Sequence, residues 1–253
     1  MIKLSNGHQS RFFSASGAMA YLHGWPWEQP FRWVGLLDPY KFTIITKTLT
    51  WEPIVGNLKL WCWWRCIRFL GGGNVLNSVG LTNPGLTAWS FKWYPKIAKY
   101  DYNVIVSVMV QNVLEAQVMA KYLNGLNHIV GVQLNVSCPN IHYEQEQVEA
   151  VCDIVRAFAR VTNHPLILKL GYQHGYVSIC RELKGTIEAV ELINAVPWPI
   201  IFPNRISPLA KYNLVGAVSG PWIIPYAREA LDNIHEALPA VAGHVWWWHL
   251  LHR

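Results

Sequence analysis

"NVIVSVMVQNVLEAQVMAKYLNGLNHIVGVQLNVSC", residues 103–138, reads as strand, helix and strand in one run. Asn103 to Val110 is apolar on both faces and rich in valine, as a strand buried between two layers has to be. From Gln111 to Leu126 the spacing turns helical, with Leu114, Val118, Tyr122 and Leu126 on one face. "GVQLNVSC" then returns to the strand pattern. Strands joined through a helix of this length pair in parallel, because only antiparallel neighbours can be closed by a short hairpin.

The alternation extends outward in both directions. "FTIITKT" (Phe42 to Thr48), "HPLILKLGY" (His164 to Tyr172) and "IEAVELINAV" (Ile187 to Val196) read as further strands. Glu144 to Val161 carries Val148, Val151, Val155 and Phe158 at helical spacing. A helix from Pro225 to Leu238 buries Ala227, Ala230, Ile234 and Leu238, with its proline in the first turn, where the missing N–H costs nothing. "LPAVAG" (Leu238 to Gly243) reads as a last strand. The class is α/β. A (β/α)8 barrel and an open doubly wound sheet both satisfy the pattern. No GxGxxG follows the first strand, which argues against a dinucleotide-binding sheet, and "LGGGN" (Leu70 to Asn74) reads as a flexible turn.

Composition narrows the partners. A hydrophobic fraction of 52% and a charged fraction of 14% over 253 residues support a sizeable core. The net charge of +6 is spread thinly, without the basic stripe that nucleic-acid binding requires, and suits small anionic ligands. The opening "MIKLSNGHQS" has no apolar signal region and no apolar run is long enough to span a bilayer, so a reducing, cytoplasmic setting is the expectation. In "CWWRC", Cys62 and Cys66 have no second ligand pair nearby and read as buried thiols; no metal site is expected.

Polar residues close four of the strands: Lys47, Asn135, Lys169 and Asn194. In a barrel those ends meet at one rim, the face that carries active sites. Lysine supplies positive charge, and asparagine offers donors and an acceptor together, matching a uracil-like ring edge. Cys138, past the strand end and between two asparagines, reads as a core thiol, a metal ligand or an active-site base.

Here the motifs match a known family. "QLNVSCPN" (Gln133 to Asn140) resembles the NxSCPN motif of dihydroorotate dehydrogenases. "SASG" (Ser14 to Gly17), "TKTLTWEPIVGN" (Thr46 to Asn57), "LNSVGLTNPG" (Leu76 to Gly85), "PLILKL", "LINAV" and "GAVSGPWIIP" are similar to other family segments, in the same order, from about residue 14 to 230. The resemblance implies a (β/α)8 barrel with FMN at the C-terminal face, oxidising dihydroorotate to orotate in pyrimidine biosynthesis. Cys138 would be the catalytic base, assisted by Lys47. Asn77, Ser78, Val79, Gly80, Leu81, Asn135, Asn140, Asn194 and Ala195, with Lys47, would line the substrate pocket. Ser16, Lys47, Thr48, Asn135, Lys169, Ile193 and Gly220 would contact FMN. The resemblance implies Ser or Thr at the position that Ala195 occupies here. A cysteine rather than a serine at 138 implies the soluble branch, with fumarate or an iron–sulfur flavoprotein as electron acceptor and a homodimer as the assembly.

The resemblance implies one domain over residues 1–253, with an excursion at about 49–101 packed over the barrel mouth. Past "LPAVAG" the family pattern gives way to "HVWWWHLLHR", so a barrel incomplete at strand eight, with a weakened grip on the flavin phosphate, is expected. Residues Ile2 to Arg11 match poorly. Two other readings stay open: a dihydropyrimidine-type flavin reductase, and a non-catalytic barrel whose aromatic segments "LWCWWRCIRFL" and "HVWWWHLLHR" face a membrane or a partner.

Overall fold

The computed structural model describes residues 1–22, 24–136, 147–239 and 245–246. Its strands are β1 (Ile2–Lys3), β2 (Gln9–Ser10), β3 (Ile44–Ile45), β4 (Ile67–Gly71), β5 (Asn74–Asn77), β6 (Val104–Val108), β7 (Gly131–Asn135), β8 (Leu166–Lys169), β9 (Ala189–Glu191), β10 (Val196–Pro197), β11 (Ala217–Ser219) and β12 (Val245–Trp246). The helices are α1 (Gln29–Trp33), α2 (Leu86–Lys92), α3 (Tyr94–Tyr100), α4 (Val113–Leu123), α5 (Gln147–Ala159), α6 (Tyr176–Glu182), α7 (Trp198–Ile201) and α8 (Ile224–Ala237). Among the described residues no helix is long and apolar enough to cross a membrane.

The main sheet is six-stranded and parallel, in the order β12-β9-β8-β7-β6-β3. A parallel bridge from Phe13 to Thr43 extends it beyond β3. Each strand pairs with the next strand of the series, so the order never reverses. A doubly wound sheet must reverse at a switch point; a sheet that winds in one direction curls into a barrel. Strand order, which local patterning cannot carry, therefore decides between the two architectures.

Alternation along the strands sorts the core into two. Val104, Val106, Val108, Val132, Leu134, Leu166, Leu168 and Val190 pack outward with the helices. Ile45, Ile105, Ile167 and Ala189 face inward and form a separate small core with Leu4. Leu4 comes from the β1–β2 hairpin, which seals the N-terminal floor: Ser5 N–H donates to Glu188 Oε2 (2.7 Å) and Asn6 Nδ2 to the Val130 carbonyl (3.1 Å). The poorly matching N-terminus is thus a floor plug.

Helix α4 starts where its sequence says it should. Asn112 Oδ1 accepts from Glu115 N–H (2.9 Å), and Glu115 Oε2 accepts from Gln111 N–H (2.6 Å), satisfying donors that a helix start leaves open. Its buried face is only in part the expected one: Leu126, just past its end, is buried and Tyr122 packs against the core. Ala116, Met119, Ala120 and Leu123 are buried, whereas Leu114 is 70% exposed and Val118 43% exposed. The alanines let the helix approach the sheet closely, and this rotates the bulkier Leu114 and Val118 outward. Helix α5 does bury Val151, Val155 and Phe158.

Two strands differ from expectation. Ile187 to Val196 is not one strand: β9 ends at Glu191, and β10 joins a second, antiparallel sheet ordered β10-β11-β5-β4. Among the described residues Val245–Trp246 is a strand parallel to β9; of the expected strand Leu238 to Gly243, Leu238 and Pro239 are not extended and residues 240–243 lie outside the described residues. The aromatic segment of the excursion exposes its tryptophans. In the 3-10 stretch Leu60–Arg65 a kink at Cys62 turns Cys62 and Cys66 into the core, while Trp61, Trp63 and Trp64 point to solvent.

Candidate functional site at the strand ends

Register builds the site in rows along the inner face. Ile45 lies beside Ile105; Ser107 beside Gln133 and Ile167; Asn135 beside Lys169 and Glu191. In-register partners in a parallel sheet point to the same side. The interior therefore grades from apolar at the floor, through Ser107 and Gln133, to Asn135, Lys169 and Glu191 at the C-terminal rim.

These polar groups are buried and joined. Lys169 Nζ lies 2.6 Å from Glu191 Oε1, with Glu191 fully buried. Glu191 Oε2 accepts from Gln133 Nε2, and Gln133 Oε1 accepts from Ser107 Oγ (2.8 Å). Ser107 Oγ is 3.0 Å from Thr48 Oγ1, which accepts from Asn135 Nδ2 (2.8 Å) and lies 3.2 Å from Ser16 Oγ. Such a chain is held together because each member leaves its neighbour without water if it moves.

Thr48 reaches this network through a bulge. Thr46 N–H donates to the Ile105 carbonyl (3.1 Å) and Leu49 N–H to the Ser107 carbonyl (2.9 Å), so three residues on one strand oppose two on the other. Thr46 Oγ1 accepts from Ser107 N–H (3.0 Å) and fills the break in the ladder. The extra residue resets the alternation after Ile45 and turns Thr48 inward. Lys47 is half-buried beside it, its N–H donating to the Ala20 carbonyl (2.7 Å). Gly17 gives it room: a Cβ there would sit 3.4 Å from Lys47 Cβ and Cγ.

The structure brings Ser16, Thr48, Asn135 and Lys169 into one cluster, with Lys47 at its edge. Ile193 is buried, the Asn194 N–H donates to the Leu170 carbonyl (3.0 Å), and Ala195 is half-buried as the chain enters β10. Asn77, Ser78, Val79, Gly80 and Leu81 are all half-buried on the antiparallel lobe, where Asn57 Nδ2 donates to the Ser78 carbonyl (2.9 Å) and Thr82 Oγ1 to the Val55 carbonyl (2.9 Å). Gly220, at φ +115°, packs on the Gly73–Asn74 turn, and the Trp222 N–H donates to Asn74 Oδ1 (2.8 Å). Its neighbour Ser219 and Ala195 flank the Val196–Val218 pair of the second sheet. Cys138 and Asn140 lie outside the described residues; Val136, the last residue before that segment, follows directly from β7.

Glu191, like Ser107 and Gln133, is a member of the cluster that sequence reading missed. Its signal was present: a lone carboxylate inside the apolar run "AVELINAV". A long strand from Ile187 to Val196 hid it, because in such a strand it would not mark an end. Nearby, His174 Nδ1 accepts from Gly171 N–H (3.1 Å), and burial lowers its pKa below 6.5, which suits a neutral acceptor.

Among the described residues no group of three or more His, Cys, Asp or Glu side chains could hold a metal. Cys62, Cys66, Cys152 and Cys180 are buried free thiols. Burial raises Cys180, with a smaller push from Cys152, to about 12.

Comparison with known proteins fits this geometry. The sequence model of the dihydroorotate dehydrogenase family matches residues 36–241. The catalytic subunit of dihydroorotate dehydrogenase B (NAD(+)) from Thermoanaerobacter pseudethanolicus is 34% identical over 204 residues, covering 78% of this chain and 64% of that protein. The corresponding subunit of Desulforudis audaxviator is 31% identical over 202 residues, covering 77% of this chain and 63% of that one. The chain thus spans a little under two thirds of the length of these curated relatives. In fold, it resembles a DHODH from Eimeria tenella solved with ferulenol, at a TM-score of 0.61 and 13% identity, over 81% of this chain and 62% of the other. With a family model covering most of its length and relatives above 30% identity, the chain belongs to the dihydroorotate dehydrogenase family.

Proposed function

We propose that this chain performs the FMN-dependent oxidation of dihydroorotate to orotate in pyrimidine biosynthesis, in the cytoplasm. The observation that carries the reading is the buried rim cluster, with Lys169 held by Glu191 beside Asn135 and Thr48. This donor set fits a flavin. An ammonium group and an amide at a dry rim suit the electron-rich edge of an isoalloxazine, and the hydroxyls of Ser16 and Thr48 add neutral donors. Lys47, Ile193 and Gly220 complete the proposed contacts. When bound, FMN supplies the acceptor for the hydride that leaves the substrate ring.

The chain's own part is to orient the substrate and take its proton. Cys138 is the base: a thiol near its reference pKa of about 8.5 ionises readily enough when its surroundings favour the thiolate. Lys47 offers charge to the substrate carboxylate. Asn135, Asn140 and Asn194 bracket the ring amides, with Asn77, Ser78, Val79, Gly80 and Leu81 closing over it. Ala195 contributes no hydroxyl. The names of the relatives favour NAD+ and a partner subunit over fumarate; an iron–sulfur flavoprotein is the proposed partner. A homodimer is the proposed assembly.

The test compares dihydroorotate with dihydrouracil as substrate for the FMN-supplemented chain, with fluorescence quenching as an independent measure of FMN binding. Dihydroorotate is expected to be the better substrate, and Cys138→Ser to lower its rate by about 10^2-fold or more. Faster dihydrouracil turnover would assign the chain to the dihydropyrimidine-type reductases. An unchanged Cys138→Ser rate would remove the base assignment.

A further inference from the structure

None of the chain's 15 acidic residues lies in residues 53–100 or 192–228, the two stretches that build the antiparallel sheet and its surroundings. The first stretch alone carries Lys59, Arg65, Arg68, Lys92, Lys96 and Lys99. The segments that build the antiparallel sheet thus carry cations and no carboxylate, Lys59, Arg65 and Arg68 before and on β4 and Lys211 ahead of β11, whereas Lys92, Lys96 and Lys99 lie on α2 and α3.

That lobe also carries an exposed aromatic edge. Trp61 is 75% exposed, Trp64 44%, Trp63 40%, and Phe69 on β4 73%. Trp63 contacts Trp64 and Phe69 edge-on, at ring separations of 6.2 and 6.0 Å, so the rings form one patch. Guanidinium groups flank it: Arg65 follows Trp64 in the 3-10 stretch, and Arg68 precedes Phe69 on β4 and so points to the other face of that strand. Arg65 and Arg68 both lie 5.7 Å from the centre of the Tyr212 ring, and Lys211 lies 5.2 Å from it. The salt bridges of the described residues involve none of these cations.

We infer that this edge is an interfacial docking surface for an anionic lipid bilayer. Tryptophan is the side chain best suited to the headgroup level, apolar in body and with one N–H donor. Arginine and lysine next to it keep their charge in the headgroup layer while their stems lie on the apolar part. A protein partner is the less favoured occupant, because the core of a protein interface is depleted of lysine, whereas lysine and arginine accompany tryptophan at a bilayer surface. The inference does not depend on the proposed reaction.

The experiment is co-sedimentation of the full chain with vesicles of phosphatidylcholine alone and of phosphatidylcholine mixed equally with phosphatidylglycerol. Binding is expected only to the anionic vesicles, with a blue shift of tryptophan emission and loss at high salt. Arg65→Gln with Arg68→Gln should weaken it about 30-fold, from about fivefold for each cation at such a surface. Trp61→Ser, Trp63→Ser and Trp64→Ser together should abolish the emission shift. If that triple variant does not fold by circular dichroism, the arginine pair decides alone. No vesicle binding, equal binding to both compositions, or binding indifferent to the arginine pair would overturn the inference. So would lipid-free self-association that the arginine substitutions abolish, in place of vesicle binding.

Discussion

Replacing Glu191 by glutamine would leave the Lys169 ammonium buried without its counter-charge. The substitution keeps the shape, so packing is not what it tests. Glu191 Oε1 stands 2.6 Å from Lys169 Nζ, and Oε2 accepts from Gln133 Nε2. A glutamine has one oxygen and one NH2 for these two donors, so one of them meets another donor. Breaking a buried ion pair from one side typically costs about 3–5 kcal/mol. With a urea dependence of roughly 2–3 kcal/mol per molar, the unfolding midpoint should fall by about 1–2.5 M. Adding Lys169→Met should recover most of this loss, because it removes the stranded charge at similar volume. Urea melts of the four proteins of the cycle, followed by circular dichroism, give the coupling. A midpoint within about 0.3 M of the parent for Glu191→Gln, or no recovery in the double variant, would refute the reasoning, which rests on a desolvation cost of this order.

Gly56→Ala should loosen the 77–81 loop: at φ +55° the new Cβ would lie 2.7 Å from the Val79 and Gly80 carbonyl oxygens and collide with Thr82 Oγ1. A cost of about 2 kcal/mol corresponds to a thermal midpoint roughly 4–8 °C lower, readable by calorimetry. Burial lowers the His174 pKa, so the native state holds that proton less tightly than the unfolded chain. Its contribution to stability is full above about pH 6.5 and is lost as pH falls through the native value, and urea midpoints from pH 7.5 to 5 should decline less steeply in His174→Gln. Cys180, raised to about 12, should react with iodoacetamide at pH 8 far more slowly in the native chain than in urea, as peptide mass spectrometry would register.

Much of the rim was legible because strand ends mark themselves. Lys47, Asn135 and Lys169 interrupt apolar runs, and a charged or amide group there costs free energy unless the fold gives it partners. Thr48 was assigned through family resemblance, but its inward turn depends on a one-residue bulge that no local pattern announces. Glu191 was hidden by the boundary chosen for its strand. The α4 face was partly misread because periodicity rewards the larger apolar residues, whereas close helix–sheet packing selected Ala116 and Ala120.

What the sequence by itself determined is the series of parallel strands and helices, the identity of the rim residues and the absence of acid from the second lobe. These are one-dimensional properties: they follow from the period of two or 3.6 residues and from composition. Only the tertiary structure decided that the sheet winds in one direction, that Leu4 plugs its floor, that Lys169 finds Glu191, and that the tryptophans of residues 61–64 face outward. Each of these depends on which distant segments lie side by side. Burial and pairing energies are set by that neighbourhood, and not by the residues on either side in the chain.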